Sequence, residues 1–241
     1  ISKWDVSKIT AFSSMFSGAT SFNQNIGKWD VSAAVDLSTM FADASSFNQD
    51  IGNWNVDSVK RMYAMFQNAI SFNQDIGNWN VSTVTDMRFM FQEASAFNQD
   101  ISAWNVSNVT DMRQMFNGAI VFNQAIGSWD ITKVNKMDFM LDNTDLSITN
   151  YDSTLIGWKN QEASNKTLGA IALKYCNANA ARDSLINQYG WTINGDNFVC
   201  PLLPVELTIF EATIRNSKEV LLNWETLSEE NNEGFDIQKS K

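Results

Sequence analysis

The residues able to do chemistry in this sequence are carboxylates, side-chain amides and a few arginines, and most recur at one spacing. Asp50, Asp75 and Asp100 lie 25 residues apart. A row of like charges at strand spacing invites a bridging cation such as Ca²⁺, helped by neighbouring asparagine oxygens; the plainer alternative is a solvated acidic stripe. The pairs Asn23/Gln24 through Asn123/Gln124 keep the same period. They offer a polar binding face or, as their strict register favours, a structural ladder of stacked amides. Tyr63, Arg88, Phe89, Arg113 and Phe139 occupy positions that change from repeat to repeat while their neighbours do not. These residue types are enriched at interfaces, which makes the five a candidate partner surface, with ordinary surface drift as the alternative.

Equally informative is the chemistry that is missing. The sequence has no histidine, which removes the commonest general base and the commonest metal ligand together. No G-x-S-x-G, Cys/His pair or phosphate-binding glycine loop occurs, so the chain reads as not an enzyme and needs no cofactor, Ca²⁺ on the aspartate row excepted. A formal charge of −10 lacks the basic footprint that nucleic acid or an anionic lipid surface requires. No apolar run approaches the length of a membrane helix. Cys176 and Cys200 are the two cysteines; in an exported protein they read most simply as one disulfide.

The elements that must position these groups follow from the repeat. Trp4, Trp29, Trp54, Trp79, Trp104 and Trp129 recur every 25 residues, as do Phe22 through Phe122 and Met15 through Met140. A fixed period of this length means one supersecondary unit per repeat, each stacked on its neighbours. Over Phe97–Ile101 the alternation of apolar and polar residues predicts a short strand, and a turn follows at Gly or Ser. Val109, Met112, Met115, Phe116 and Ala119 fall at spacings of three and four, which predicts a short helix with Ser107 or Asn108 as its N-cap. The expectation is an α/β solenoid of about six strand–turn–helix coils over residues 1–146, its tryptophans, phenylalanines and methionines forming one continuous core.

The ladder breaks near Leu141, and an open end needs a cap. Residues 147–200 fit that role, with helices expected over Tyr151–Trp158 and Ala178–Tyr189, the second stopped by Gly190. A Cys176–Cys200 bridge would stabilise such a cap by roughly 3 kcal/mol. Residues 201–241 read as a linker bracketed by Pro201 and Pro204, then strands over Val205–Glu211, Glu219–Thr226 and Gly234–Lys239, the start of a β-sandwich of immunoglobulin or fibronectin type. No leader is visible and the chain opens at Ile1 with a repeat under way, so the sequence reads as part of a longer product.

The repeat W-[DN]-V-S-x-V-T-x-M-x-x-M-F-x-x-A-x-x-F-N-Q-D-I-G-x-W resembles the BspA-like surface-protein repeat, a leucine-rich-repeat relative, over residues 1–141. The segments Lys174-Tyr175-Cys176 and Tyr189-Gly190-Trp191-Thr192-Ile193 resemble the stretch located after such repeats in Bacteroidota proteins. Leu203 to Thr208 and Leu221 to Trp224 resemble the fibronectin-like module that precedes type IX sorting domains. The resemblance implies export through the outer membrane and a place on the cell surface. It also draws attention to Asp-Ser triplets at Asp57, Asp152 and Asp183, which resemble a Bacteroidota O-glycosylation pattern and make Ser153 and Ser184 candidate acceptors. Two functions fit: an adhesin whose solenoid face binds a protein or glycan on another surface, or an architectural subunit of a stalk or filament that binds copies of itself. A targeting region of a larger secreted enzyme is the third, weaker fit.

Overall fold

The computed structural model describes residues 1–200, and beyond them the backbone of the strands Leu207–Asn216 and Glu219–Thr226. The proline-bracketed linker and the strand expected over Gly234–Lys239 lie outside the described residues. Residues 1–198 form one compact unit and 199–241 another.

The first unit is a stack of coils in strict register. Parallel bridges run from Ala11 to Asp36, Arg61, Asp86, Asp111 and Lys136, each 25 residues from the last. Around each bridge every second N–H donates to the following coil. In the fourth coil Met87, Phe89, Phe91 and Glu93 donate to the carbonyls of Asp111, Arg113, Met115 and Asn117. The N–H groups between them close turns within the coil, Met90 to Met87, Gln92 to Phe89 and Ala94 to Phe91.

The helix expected over residues 109–119 is therefore not formed, and Phe97–Ile101 is not a strand; both segments lack regular elements among residues 1–146. A helix would satisfy its own N–H groups at i−4 and leave nothing to pair adjacent coils. Here the chain instead alternates turn and ladder, which requires two residues per coil in the left-handed region. One set is Ser14, Thr39, Ala64, Phe89, Gln114 and Phe139; the other is Gly18, Asp43, Asn68, Glu93, Gly118 and Asn143, with φ between 49° and 74°. Turns of this kind also bring residues three and four apart to one side, which is why the apolar spacing imitates a helix face.

That side is the core. Phe16, Phe41, Phe66, Phe91 and Phe116 stack at 5.6–5.8 Å, beside a second column of Phe22, Phe47, Phe72, Phe97 and Phe122 at 5.8–6.2 Å. The two columns touch within each coil at 3.9–4.0 Å. Trp29, Trp54, Trp79, Trp104 and Trp129 are buried, and each indole Nε1 donates to the carbonyl 28 residues earlier, from Ile1 through Ile101. Burial without an unsatisfied donor is what lets tryptophan repeat in a core.

Past Leu146 the ladder continues with different parts. Helix α1 (Ile148–Lys159) is capped by the Ser147 hydroxyl, which accepts from the Asn150 N–H. Strand β1 (Thr167–Gly169) pairs in parallel with β3 (Thr192–Asn194), Thr167 opposite Thr192, again 25 apart; β2 (Lys174–Tyr175) pairs with β4 (Asn197–Phe198). Helix α2 (Asn179–Asn187) ends in a turn through Gly190, whose φ is +70°. Leu141 and Asn143 donate to Gly169 and Ile171, Ala170 to Asn194, and the Trp191 indole to Ala163, once more at a separation of 28. Residues 147–198 thus carry both helices expected there, and around them two irregular turns of the same stack. Cys176 and Cys200 are disulfide-bonded. In the second unit β5 (Leu207–Asn216) and β6 (Glu219–Thr226) form an antiparallel pair.

Candidate functional site

The surface that carries unshared chemistry lies along the bridge column. A groove of about 410 Å³ crosses the third to sixth coils, and its cationic lining is Lys60, Arg61, Arg88, Arg113 and Lys136. Asp86 and Asp111 are its carboxylates, and Thr85 and Thr110, which precede them in sequence, complete the lining. The ladder fixes where each side chain stands, because bridge residues and their neighbours two positions on recur at one level per coil.

Local pairing fixes their orientation. Arg88 donates through Nε and Nη2 to the two oxygens of Asp86, at 2.9 and 2.6 Å, and Arg113 does the same to Asp111, at 3.0 and 2.9 Å. Both carboxylates also accept the N–H of their own arginine, two residues on. Arg88 reaches a second partner, Asp111, at 3.8 Å. The bond to Asp86 is the main reason the Arg88 pKa is raised, and that to Asp111 raises Arg113 likewise. At the other end Arg61 holds Asp36 Oδ2 at 3.0 and 2.8 Å. Burial pushes the Asp36 pKa up, but hydrogen bonds from Ser38 and Arg61 outweigh it and hold the carboxyl below 3.8.

Aromatics border this charge. Tyr63 and Phe89 meet edge to face at 5.6 Å, and the Arg88 guanidinium sits 5.0 Å from the Tyr63 ring centre. Phe89 takes the left-handed backbone at φ +58°, costly for a bulky residue. Phe139 holds the same position two coils on and is 54% exposed. Of the partner surface read from sequence, Tyr63, Arg88 and Phe89 are in mutual contact, and Arg113 joins them through the groove. Phe139 shares the column of Phe89, and Tyr63, Arg88 and Arg113 stand in the column before it. Lys60, Arg61 and Lys136 were missed; the signal was a bridge column of Ala11, Asp36, Arg61, Asp86, Asp111 and Lys136, whose charge varies along the stack while the core beneath it stays constant.

The other candidates are placed differently. Asp50, Asp75 and Asp100 are exposed, and each accepts the N–H two residues on, from Gly52, Gly77 and Ser102. They are the hinges of three successive turns, and among the described residues no group of three or more Cys, Asp or Glu side chains is placed to hold a metal ion. The Asn-Gln pairs form the amide ladder: Asn73 Oδ1 accepts both the Asn98 N–H and Gln99 Nε2, at 2.9 Å each, and the pattern repeats from Asn23 to Asn123. Ser153 is exposed on α1 beside a flatter hollow lined by Gly127, Ser128 and Ile156. Its neighbour Asp152 is buried, accepting the N–H groups of Cys176 and Asn177. Ser184 lies within α2 and donates to Ala180.

Among the described residues no helix is long and apolar enough to cross a membrane. Residues 1–87 and 75–172 match a family model described as "Mycoplasma protein of unknown function, DUF285". No curated protein and no solved structure matches the chain.

Proposed function

The chain belongs to the DUF285 family, and from that premise we propose that it is a non-catalytic recognition module, a leucine-rich-repeat-like solenoid displayed outside the cell. The observation that carries the reading is the groove: arginines already held by carboxylates, lysines at its ends and aromatics along its rim, on coils whose core positions repeat. A rigid stack presenting one variable surface is the usual arrangement for binding by repeat proteins. The Cys176/Cys200 disulfide supports an oxidising compartment. Export by a type IX route in a Bacteroidota-like envelope, with Ser153 and Ser184 as sugar acceptors, extends the reading on sequence resemblance alone, that of the cap, the tail segments Leu203 to Thr208 and Leu221 to Trp224, and the Asp-Ser triplets.

One observation favours the architectural alternative. The carboxylates of Asp50, Asp75 and Asp100 repeat at the same coil spacing as the groove cations, so a second copy would meet the groove with matching charge in matching register. Light scattering on the purified chain, with and without millimolar Ca²⁺, separates the two. The recognition reading expects a monomer in both. Concentration-dependent assembly that Arg88→Glu with Arg113→Glu abolishes would replace it with the architectural one.

A further inference from the structure

We propose that the groove across the third to sixth coils binds an anionic polysaccharide, its carboxylate or sulfate groups on the arginines and lysines and its sugar faces against Tyr63 and Phe89. This rests on the recognition reading and narrows it to a ligand class.

The sign of the charge comes first. Five cations and two carboxylates line the groove, on a chain whose formal charge is −10. A cationic strip on an acidic protein concentrates anions locally while the rest of the surface repels them, which gives orientation as well as attraction. The arginines are also pre-set. Arg61, Arg88 and Arg113 spend Nε and one hydrogen of Nη2 on aspartates, so the two Nη1 hydrogens and the second Nη2 hydrogen of each remain to be donated. Holding a guanidinium before the ligand arrives removes part of the ordering cost of binding.

The backbone argues against a peptide. An extended peptide docks by adding a strand to an open edge, but at this surface the alternate N–H groups are already donated to the next coil, Met87 to Asp111 and Met112 to Lys136 among them. Recognition here falls to side chains. Their spacing disagrees with a peptide as well: successive coils stand about 4.8 Å apart, whereas an extended peptide shows like-facing side chains every ~6.8 Å. A chain of charged sugars, free to rotate at each linkage, can place an anion at each coil.

Shape and rim complete the case. Small-molecule sites are enclosed and mostly apolar; this groove is open and charged and runs on through four coils, which suits a polymer. The Tyr63 and Phe89 rings stand at its edge, where the apolar faces of sugar rings would pack and the Tyr63 hydroxyl stays in water.

Isothermal titration of the purified chain with polygalacturonate, dextran sulfate, neutral dextran and poly-L-glutamate tests this. Both anionic polysaccharides should bind and neutral dextran should not, and the affinity should fall as salt is raised toward physiological ionic strength. Arg88→Gln with Arg113→Gln should weaken binding by at least about tenfold. So should Lys60→Gln with Lys136→Gln, whose exposed side chains can change without touching the core. Polysaccharide binding that both double variants leave unchanged would overturn the site. Poly-L-glutamate bound in preference to the polysaccharides, and lost in the same variants, would overturn the ligand class while the recognition reading stands. No binding by any polyanion would overturn the inference, and a monomer by light scattering would still separate that failure from failure of the recognition reading.

Discussion

The six coils and the segment after them solve the same problem in opposite ways. Both pass the chain's N–H groups from one layer to the next, and both tie a tryptophan indole to a carbonyl 28 residues back. Yet every buried polar or charged residue among the described ones lies at or beyond Asp142: Asp142, Thr144, Asp152, Thr154 and Lys166. Repetition explains the division. A side chain buried in one coil meets its own kind in the next, so a buried charge would stack on like charge, whereas phenylalanine stacks on phenylalanine at no electrostatic cost. Within the repeats opposite charges pair at the surface, as Arg61 and Asp36 do. Where the sequence stops repeating they meet deeper, Arg182 and Asp196 at 2.7 Å with the aspartate side chain 1% exposed and the Tyr151 hydroxyl on the same carboxylate at 3.0 Å.

The comparison breaks most visibly at the aromatic columns. Phe91→Ala removes a ring stacked on three others and tilted against Trp104 and should cost about 3–5 kcal/mol by urea unfolding; a loss below about 1 kcal/mol would mean that the columns do not hold the coils together. Next comes Asp196→Ala, which strands the Arg182 guanidinium beside Tyr175 and should cost about 3 kcal/mol. The pair Arg182→Met and Asp196→Leu should recover most of that loss, because the charges contribute specificity more than net stability.

A finer contrast uses two tryptophans. Trp104→Phe loses the bond to Ile76, whereas the buried Trp158 indole has no protein acceptor among the described residues. Trp158→Phe should therefore be the milder change by about 1 kcal/mol in the same assay.

Acid gives the smallest and most selective effect. Hydrogen bonds from Ser32 and Thr132 hold Asp30 and Asp130 below the ordinary 3.8. Their contribution is present above pH 3.8 and is lost as the pH falls through their lowered values. Burial raises Asp142 against the opposing Ile171 N–H bond, so ionised Asp142 costs stability above its raised value, and acid relieves that cost. Unfolding followed from about pH 5 to about pH 3 should show the coils weakening while the junction at Asp142 does not. A junction that weakens first would contradict the assignment.

Much of this was legible in the sequence. The 25-residue period placed the aromatic columns, the amide ladder and the surface bearing Arg88 and Arg113, because a repeat copies its contacts along with its residues. Gly190 and the apolar spacing placed both helices of the later segment, while the Ser147 cap went unread. The local path of each coil was not legible, since three-and-four spacing serves a helix and a chain of turns alike. A signal was present in Gly18, Asp43, Asn68, Gly118 and Asn143, residue types that tolerate a left-handed backbone. The companion column of Ser14, Thr39, Ala64, Phe89, Gln114 and Phe139 carries no such signal, because stacking imposes its conformation. Lys60, Arg61 and Lys136 escaped notice because the expected helix assigned them to no common surface; the bridge column, with the position before it, brings them together.

Amide hydrogen exchange tests the central claim most directly: one coil-to-coil ladder closes the backbone and leaves recognition to side chains. The N–H groups of Phe89, Phe91, Gln114 and Phe116, together with Leu141 and Ala170 further along, should all be strongly protected and should open together. Fast exchange at Phe89 and Gln114 beside slow exchange at Phe91 and Phe116 would mean that the groove floor is an open edge, and the account of both the fold and its ligand would fail.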